Sequence, residues 1–237
     1  MIAVARATPS EQLSAIIGQT GSWAKRYPSV MDEARQVRDF WFGRPPTTAQ
    51  ALTQRVKMWF PGDTPEELRQ QQDATIRAHF GKLVERAGKG ELASWADSPR
   101  RCLSLIILLD QFPRNIYRGT AQAFAYDDQA LALTLSGMQS AADGALDAVE
   151  RIFFYMPLQH CEAHDVQDES VAAYRRLLVE APQELRGVFE DSLQAAQEHR
   201  ALIQRFGRFP HRNAVLERVS TPDEEAWLES SGATMGQ

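Results

Sequence analysis

Cysteine is scarce in this 237-residue sequence: Cys102 and Cys161 are the only two, and they form no CxxC pair. That excludes reading a zinc ribbon or a disulfide framework from them, and a reducing compartment fits best. Long apolar runs are missing too. Runs such as Leu105 to Leu109 fall far short of a membrane span, and Met1 to Thr8 carry one arginine and no sustained apolar core. Neither an anchor nor an export signal is read, so a soluble, cytoplasmic protein is expected. Positive charge is not in excess: the formal net charge of -5 opposes nonspecific attraction to nucleic acid or to an anionic membrane, and neither is expected as a partner. No stretch alternates apolar and polar residues long enough to make a strand, and no clean repeat of about 34 residues is present. A nucleophile elbow, a phosphate loop, a dinucleotide fingerprint and a zinc-protease motif are all absent, which leaves the reaction class open.

What is present is ordinary globular composition, 43% hydrophobic and 24% charged, in a chain long enough to bury a substantial core. The periodicity is helical almost throughout. Val30, Ala34, Val37 and Trp41 mark one buried face, with Ser29 as N-cap and Gly43 as the stop. Leu52, Val56 and Trp59 mark a second helix ending at Pro61-Gly62. Thr64-Pro65-Glu66-Glu67 reads as a capping box opening a third, which runs through Ile76, Phe80 and Leu83 to Gly88. From Ser98-Pro99 a helix follows whose residues Leu103 to Leu109 leave no polar face beyond Ser104, as expected of a central helix buried on all sides. Further helices are read over about 121–136, 146–156, 165–180 and 183–206, with a last one after the Thr221-Pro222-Asp223-Glu224 capping box. Short joints between them favour antiparallel neighbours. The expected fold is therefore all-α, a stack of antiparallel helical hairpins, with residues 1–28 as an N-terminal extension and 29–237 as a single helical domain.

Three polar segments break this pattern. In the first, Asp110-Gln111-Phe112-Pro113-Arg114-Asn115, an aspartate follows five apolar residues. Pro113 is expected to push Phe112 out of the helix, so that the chain turns and Arg114 folds back on Asp110, as a buried ion pair or as part of a ligand site. In the second, Pro157 to His164, a new helical turn opening at Pro157 would put His160 and His164 on one face. Without a third ligand that is a weak metal signal, and no metal is expected. His160 near Glu162 or Asp110 is instead an acid/base pair or a hydrogen-bonded interior histidine. The third, Phe206 to Asn213, displays Arg208, His211, Arg212 and Asn213 on a turn stiffened by Gly207 and Pro210. From His199 to Arg218 there are five arginines and one acid, Glu217, a local inversion of charge suited to a carboxylate or phosphate, or to acids elsewhere in the core.

At these segments the sequence resembles the bacterial domain-of-unknown-function 924 family, through LDQFPRNIYRGTAQAF at 109–124, PLQHCE at 157–162 with Gln167 after it, and FGRFPHRN at 206–213. FWFG at 40–43 and WF at 59–60 are similar as well. The resemblance runs from about Val37 to about Leu228 and implies a fold similar to tetratricopeptide-repeat arrays, with no established activity. It implies a polar signature of Asp110, Gln111, Arg114, Asn115, His160, Glu162, His211, Arg212 and Asn213. Cys161 and His164 lie outside the pattern, and Glu217 stands where a glycine is usual.

Three readings follow. In the first, a pocket binds a small anion, with Gln111, Arg114, Asn115, Arg208, His211, Arg212 and Asn213 as ligand contacts. His160 then serves as general acid/base, oriented by Asp110 or Glu162, and no cofactor is called for. In the second, a helical scaffold holds a peptide or partner protein in a groove. In the third, Asp110, His160 and His211 form a buried network that keeps the hairpins in register. The first predicts that the three segments meet around one cavity with surplus positive charge.

Overall fold

The computed structural model describes residues 32–43, 55–60, 62 and 64–231. Among them nine α-helices and no strand are found: α1 (Glu33–Phe42), α2 (Glu66–Gly88), α3 (Pro99–Ile106), α4 (Phe112–Ile116), α5 (Asp127–Gln139), α6 (Ala148–His160), α7 (His164–Val179), α8 (Arg186–Phe206) and α9 (Pro222–Ser231). Residues 55–59 add a short helical stretch. Consecutive helices pack on one another, α5 on α6, α6 on α7 and α7 on α8, as short joints require. No helix among the described residues is long and apolar enough to cross a membrane.

α1 buries Ala34, Val37, Trp41 and Phe42, and Asp32 caps it by accepting from the Ala34 N–H at 3.3 Å. The expected cap Ser29, the face residue Val30 and Leu52 of the second helix lie outside the described residues. Gly43, at φ 88°, ends α1. Beyond it the Arg55 guanidinium donates to the Phe40 and Trp41 carbonyls, placing positive charge at the helix C-terminus. α2 buries Gln72, Ile76, Phe80, Leu83, Val84 and Ala87 along one stripe. The capping box expected at Thr64 is not formed. Pro65 takes the N-cap position, and Glu66 instead accepts from Gln70 at 2.9 Å and pairs with Arg69. The boxes that are formed join Asp147 to Glu150 and Thr221 to Glu224.

α3 and the residues that directly follow it run through the middle of the core, with Leu103, Ile106, Ile107 and Leu108 wholly inaccessible. The one polar residue of α3 there, Ser104, donates to the Ala34 carbonyl at 2.7 Å and ties α3 to α1. The expected turn after Asp110 does not occur. Residues Ile107–Gln111 form a single π-helical turn, in which the Phe112 N–H bonds five residues back to Ile107, and the chain continues directly into α4. The wider turn makes room for the Pro113 ring, and a proline in the first turn of the next helix lacks only a donor that position does not use. Pro157 likewise lies inside α6, where the sequence reading has it open a new turn. His160 therefore ends one helix and His164 begins the next, so they share no helical face.

Edge-to-face aromatic contacts hold the core together. Trp41 meets Phe112 at 5.6 Å and Phe153 at 5.5 Å, and Trp59 meets Phe153 at 4.7 Å. A smaller cluster of Leu202, Ile203 and Phe209, with Phe206 and Trp227 against it, joins the end of α8 to α9.

Candidate functional site

Asp110 sits in the π turn and is fully buried. Its backbone carbonyl accepts from Arg114 at 2.7 Å, and its carboxylate accepts from Gln111 and faces Nδ1 of His160 at 2.6 Å. Burial opposes the charge, but the Arg114 guanidinium and the hydrogen bonds from His160 and Gln111 outweigh it and hold the carboxyl well below the usual carboxylate range. Burial and the Arg114 charge lower the pKa of His160. The pair is thus an anionic Asp110 against a neutral His160 that donates from Nδ1, which leaves Nε2 unprotonated. Gln167 fixes the end of α6 around this imidazole, its amide donating to the carbonyls of Leu158, Gln159 and Cys161.

Arg114 is neutralised by Asp127 through two hydrogen bonds, at 2.8 and 2.9 Å. Of the five arginines between His199 and Arg218, four have found carboxylates elsewhere: Arg200 pairs with Asp168, Arg205 with Asp223, Arg208 with Glu224 and Arg218 with Glu162. Arg212 is the exception. Its side chain is 7% exposed, it packs against the rings of Phe124 and Phe209 at 4.6 Å each, and its nearest carboxylate is Asp127 at 3.5 Å, shared with Arg114. Its Nε is buried with no hydrogen-bond partner, and burial together with the Arg114 charge pulls its pKa down to about 10.

Two more histidines join this region. His199 donates from Nδ1 to the Ala195 carbonyl at 2.7 Å and lies 6.3 Å from the His160 ring. Burial pushes its pKa down to about 4, assisted by His160 and the two arginines. His211 packs on Phe209, its Nδ1 is buried without a partner, and burial and Arg212 push its pKa down to about 3.

These groups surround a cavity of about 400 Å3. Six of the residues expected at a site line it: Gln111, Arg114, Asn115, His160, His211 and Arg212. Asp110 stands behind His160. Asn115 is held by Asp73 at 2.9 Å, which also pairs with Arg118 at 2.7 Å. Glu162, Arg208 and Asn213 are not among the lining residues. Glu162 accepts from the Phe209 N–H and pairs with Arg218, Arg208 pairs with Glu224, and Asn213 bonds Ser220 and Glu224, so these three lock the turn that presents Arg212. The expected surplus of charge therefore narrows to Arg212. Sequence reasoning missed His199, Asp127 and the aromatic wall of Trp41 and Trp59. For His199 a signal existed, since it continues the buried stripe of Ser192, Ala196 and Ile203 on α8.

A protein of unknown function from Agrobacterium tumefaciens has a similar solved structure, with a TM-score of 0.68 and 32% identity over 84% of this chain and 97% of that one. Among curated proteins, none matches. The model of the family described as "Bacterial protein of unknown function (DUF924)" matches residues 37–232, and the chain belongs to that family.

Proposed function

We propose that the cavity binds a small organic anion through Arg212, and that His160, oriented by Asp110, accepts a proton or a hydrogen bond from the bound molecule. The observation that carries this reading is the incomplete neutralisation of Arg212 beside the unpartnered Nδ1 of His211. A buried guanidinium is costly unless paired, and its planar fork matches a carboxylate. An incoming anion supplies what Asp127, at 3.5 Å and engaged with Arg114, supplies only in part.

The Nε2 atoms of His160 and His199 are acceptors in this arrangement, because each ring commits its Nδ1 proton to an oxygen of the protein. The chemistry these walls support is proton transfer, with the His160 imidazole at the cavity surface as its acceptor. The cavity volume suits a small molecule and favours this reading over a scaffold for an extended peptide.

Calorimetric titration with acetate, benzoate and inorganic phosphate tests the proposal. At least one should bind, and Arg212→Gln should weaken it by about tenfold or more, the loss expected for a charged hydrogen bond. Binding of every probe to Arg212→Gln as to the parent chain would refute it and leave a structural network in its place.

A further inference from the structure

We infer that the anion this cavity takes is a monoanion with an apolar, ring-sized body, its carboxylate at Arg212 and its body against Trp41 and Trp59. This rests on the reading of the cavity as an anion site and narrows it in charge and in shape.

The charge follows from which cations are spent. Arg114 is held by both oxygens of Asp127, and Arg118 is held by Asp73 through two nitrogens. Arg69, at the rim, pairs with Glu66. Among the described lining arginines, Arg212 is the one whose carboxylate, Asp127 at 3.5 Å, is already engaged by another arginine; the Arg69 Nε is also buried without a partner, but its Glu66 is paired with no other arginine. A second negative charge on the ligand would have to displace an aspartate from an arginine, and it would do so near Asp110, Asp127 and the lining residue Glu198. One negative charge completes the balance around Arg212, whereas a phosphate dianion or a polyphosphate exceeds it.

The shape follows from the apolar part of the lining. Met58, Trp59 and Met156 are buried lining residues, and Trp41 beside them is 2% exposed. Both indoles are pinned against Phe153, and Phe60 stacks on the same ring at 6.3 Å while remaining 44% exposed. Gln111 bridges the two halves, its amide reaching both the Asp110 carboxylate and the Met156 sulfur. A cavity of about 400 Å3 is far larger than acetate needs. Fixed aromatic and thioether surfaces together with a planar cation in one lining suit a carboxylate attached to a ring or a branched aliphatic group.

The test is a titration of the intact chain with phenylacetate, acetate, inorganic phosphate and uncharged 2-phenylethanol, followed by calorimetry and by tryptophan fluorescence. Phenylacetate should bind about tenfold or more tightly than each of the other three and should quench the fluorescence. Arg212→Gln should reduce phenylacetate to the level of 2-phenylethanol, and Trp59→Ala should reduce it to the level of acetate. If acetate and phosphate bind as tightly as phenylacetate and all depend on Arg212, the anion site stands and this inference falls. If 2-phenylethanol binds as tightly as phenylacetate, or if no probe binds, both fall. The order of affinities in the parent chain alone decides whether this inference falls, so a variant that fails to fold does not rescue it.

Discussion

His160 and Asp110 stand 50 positions apart in the sequence, and Nδ1 of the one lies 2.6 Å from the carboxylate of the other. The contact joins the π turn between α3 and α4 to the last residue of α6, and no solvent reaches the carboxylate. Removing the acid leaves the buried Nδ1 of His160 without its acceptor and takes away a carboxylate 3.4 Å from Arg114, which keeps Asp127. Asp110→Ala should therefore lower the unfolding free energy by about 1 to 3 kcal/mol, the range for hydrogen bonds to a charged group, measured by urea denaturation. A loss below about 0.5 kcal/mol would mean that the pair contributes nothing to the fold.

Acid should destabilise the protein well before its carboxylates titrate. The folded pKa values of His199 and His211 are depressed to about 4 and about 3, below the ordinary value of about 6.5. Between those limits the unfolded chain binds protons that the folded chain refuses, so stability rises with pH and is lost as pH falls through about 6.5 toward 4. Denaturation at pH near 5 should give an unfolding free energy lower by roughly 2 to 4 kcal/mol than at pH near 7.5, and His199→Gln should remove part of the difference. Equal stability at the two values would show that these histidines are not held neutral.

Glu217 occupies the left-handed region at φ 54°, and Gly207 does so at φ 70°. At the first the side chain carries a strain that glycine would not, because a Cβ in this conformation meets the following carbonyl. Glu217→Gly should stabilise the protein by about 0.5 to 1 kcal/mol, and Gly207→Ala should destabilise it by about as much or more. Thermal melts of the two variants check both signs, and shifts in the same direction would contradict the assignment.

The helical fold was readable because apolar spacing records which face is buried. Ala34, Val37 and Trp41, the unbroken Leu103 to Leu109 and the stripe of Ile76, Phe80 and Leu83 are all found buried. The errors came at Pro113 and Pro157, where a local rule of helix termination was applied to segments whose neighbours hold them helical. A π turn absorbs one proline and the last turn of α6 accommodates the other. In the site, the types of residue were readable but their assignments were not. Arg208 and Glu162 carry the same charges as Arg212 and Asp110, and only the folded chain shows that Glu224 and Arg218 have already claimed them.

The packing of α5 against α6 gives a sharper test of the core. A Cβ built on Gly137 would lie 2.5 Å from the Phe154 ring, itself wholly buried, so the ring or the helix must shift. Gly137→Ala should cost about 1 to 3 kcal/mol despite alanine's better helix propensity, and Ile106→Ala about 2 to 5 kcal/mol through the cavity it leaves. A Gly137→Ala variant as stable as the parent would show that these helices are not in close contact.

The most direct test of the anion site is a crystal structure of the protein grown with 4-bromophenylacetate, read from the anomalous signal of the bromine. The account predicts one bound molecule with its carboxylate within about 3 Å of the Arg212 guanidinium and its bromine on the side of Trp41 and Trp59. A molecule bound with its carboxylate away from Arg212, or an empty cavity at saturating ligand, would contradict it.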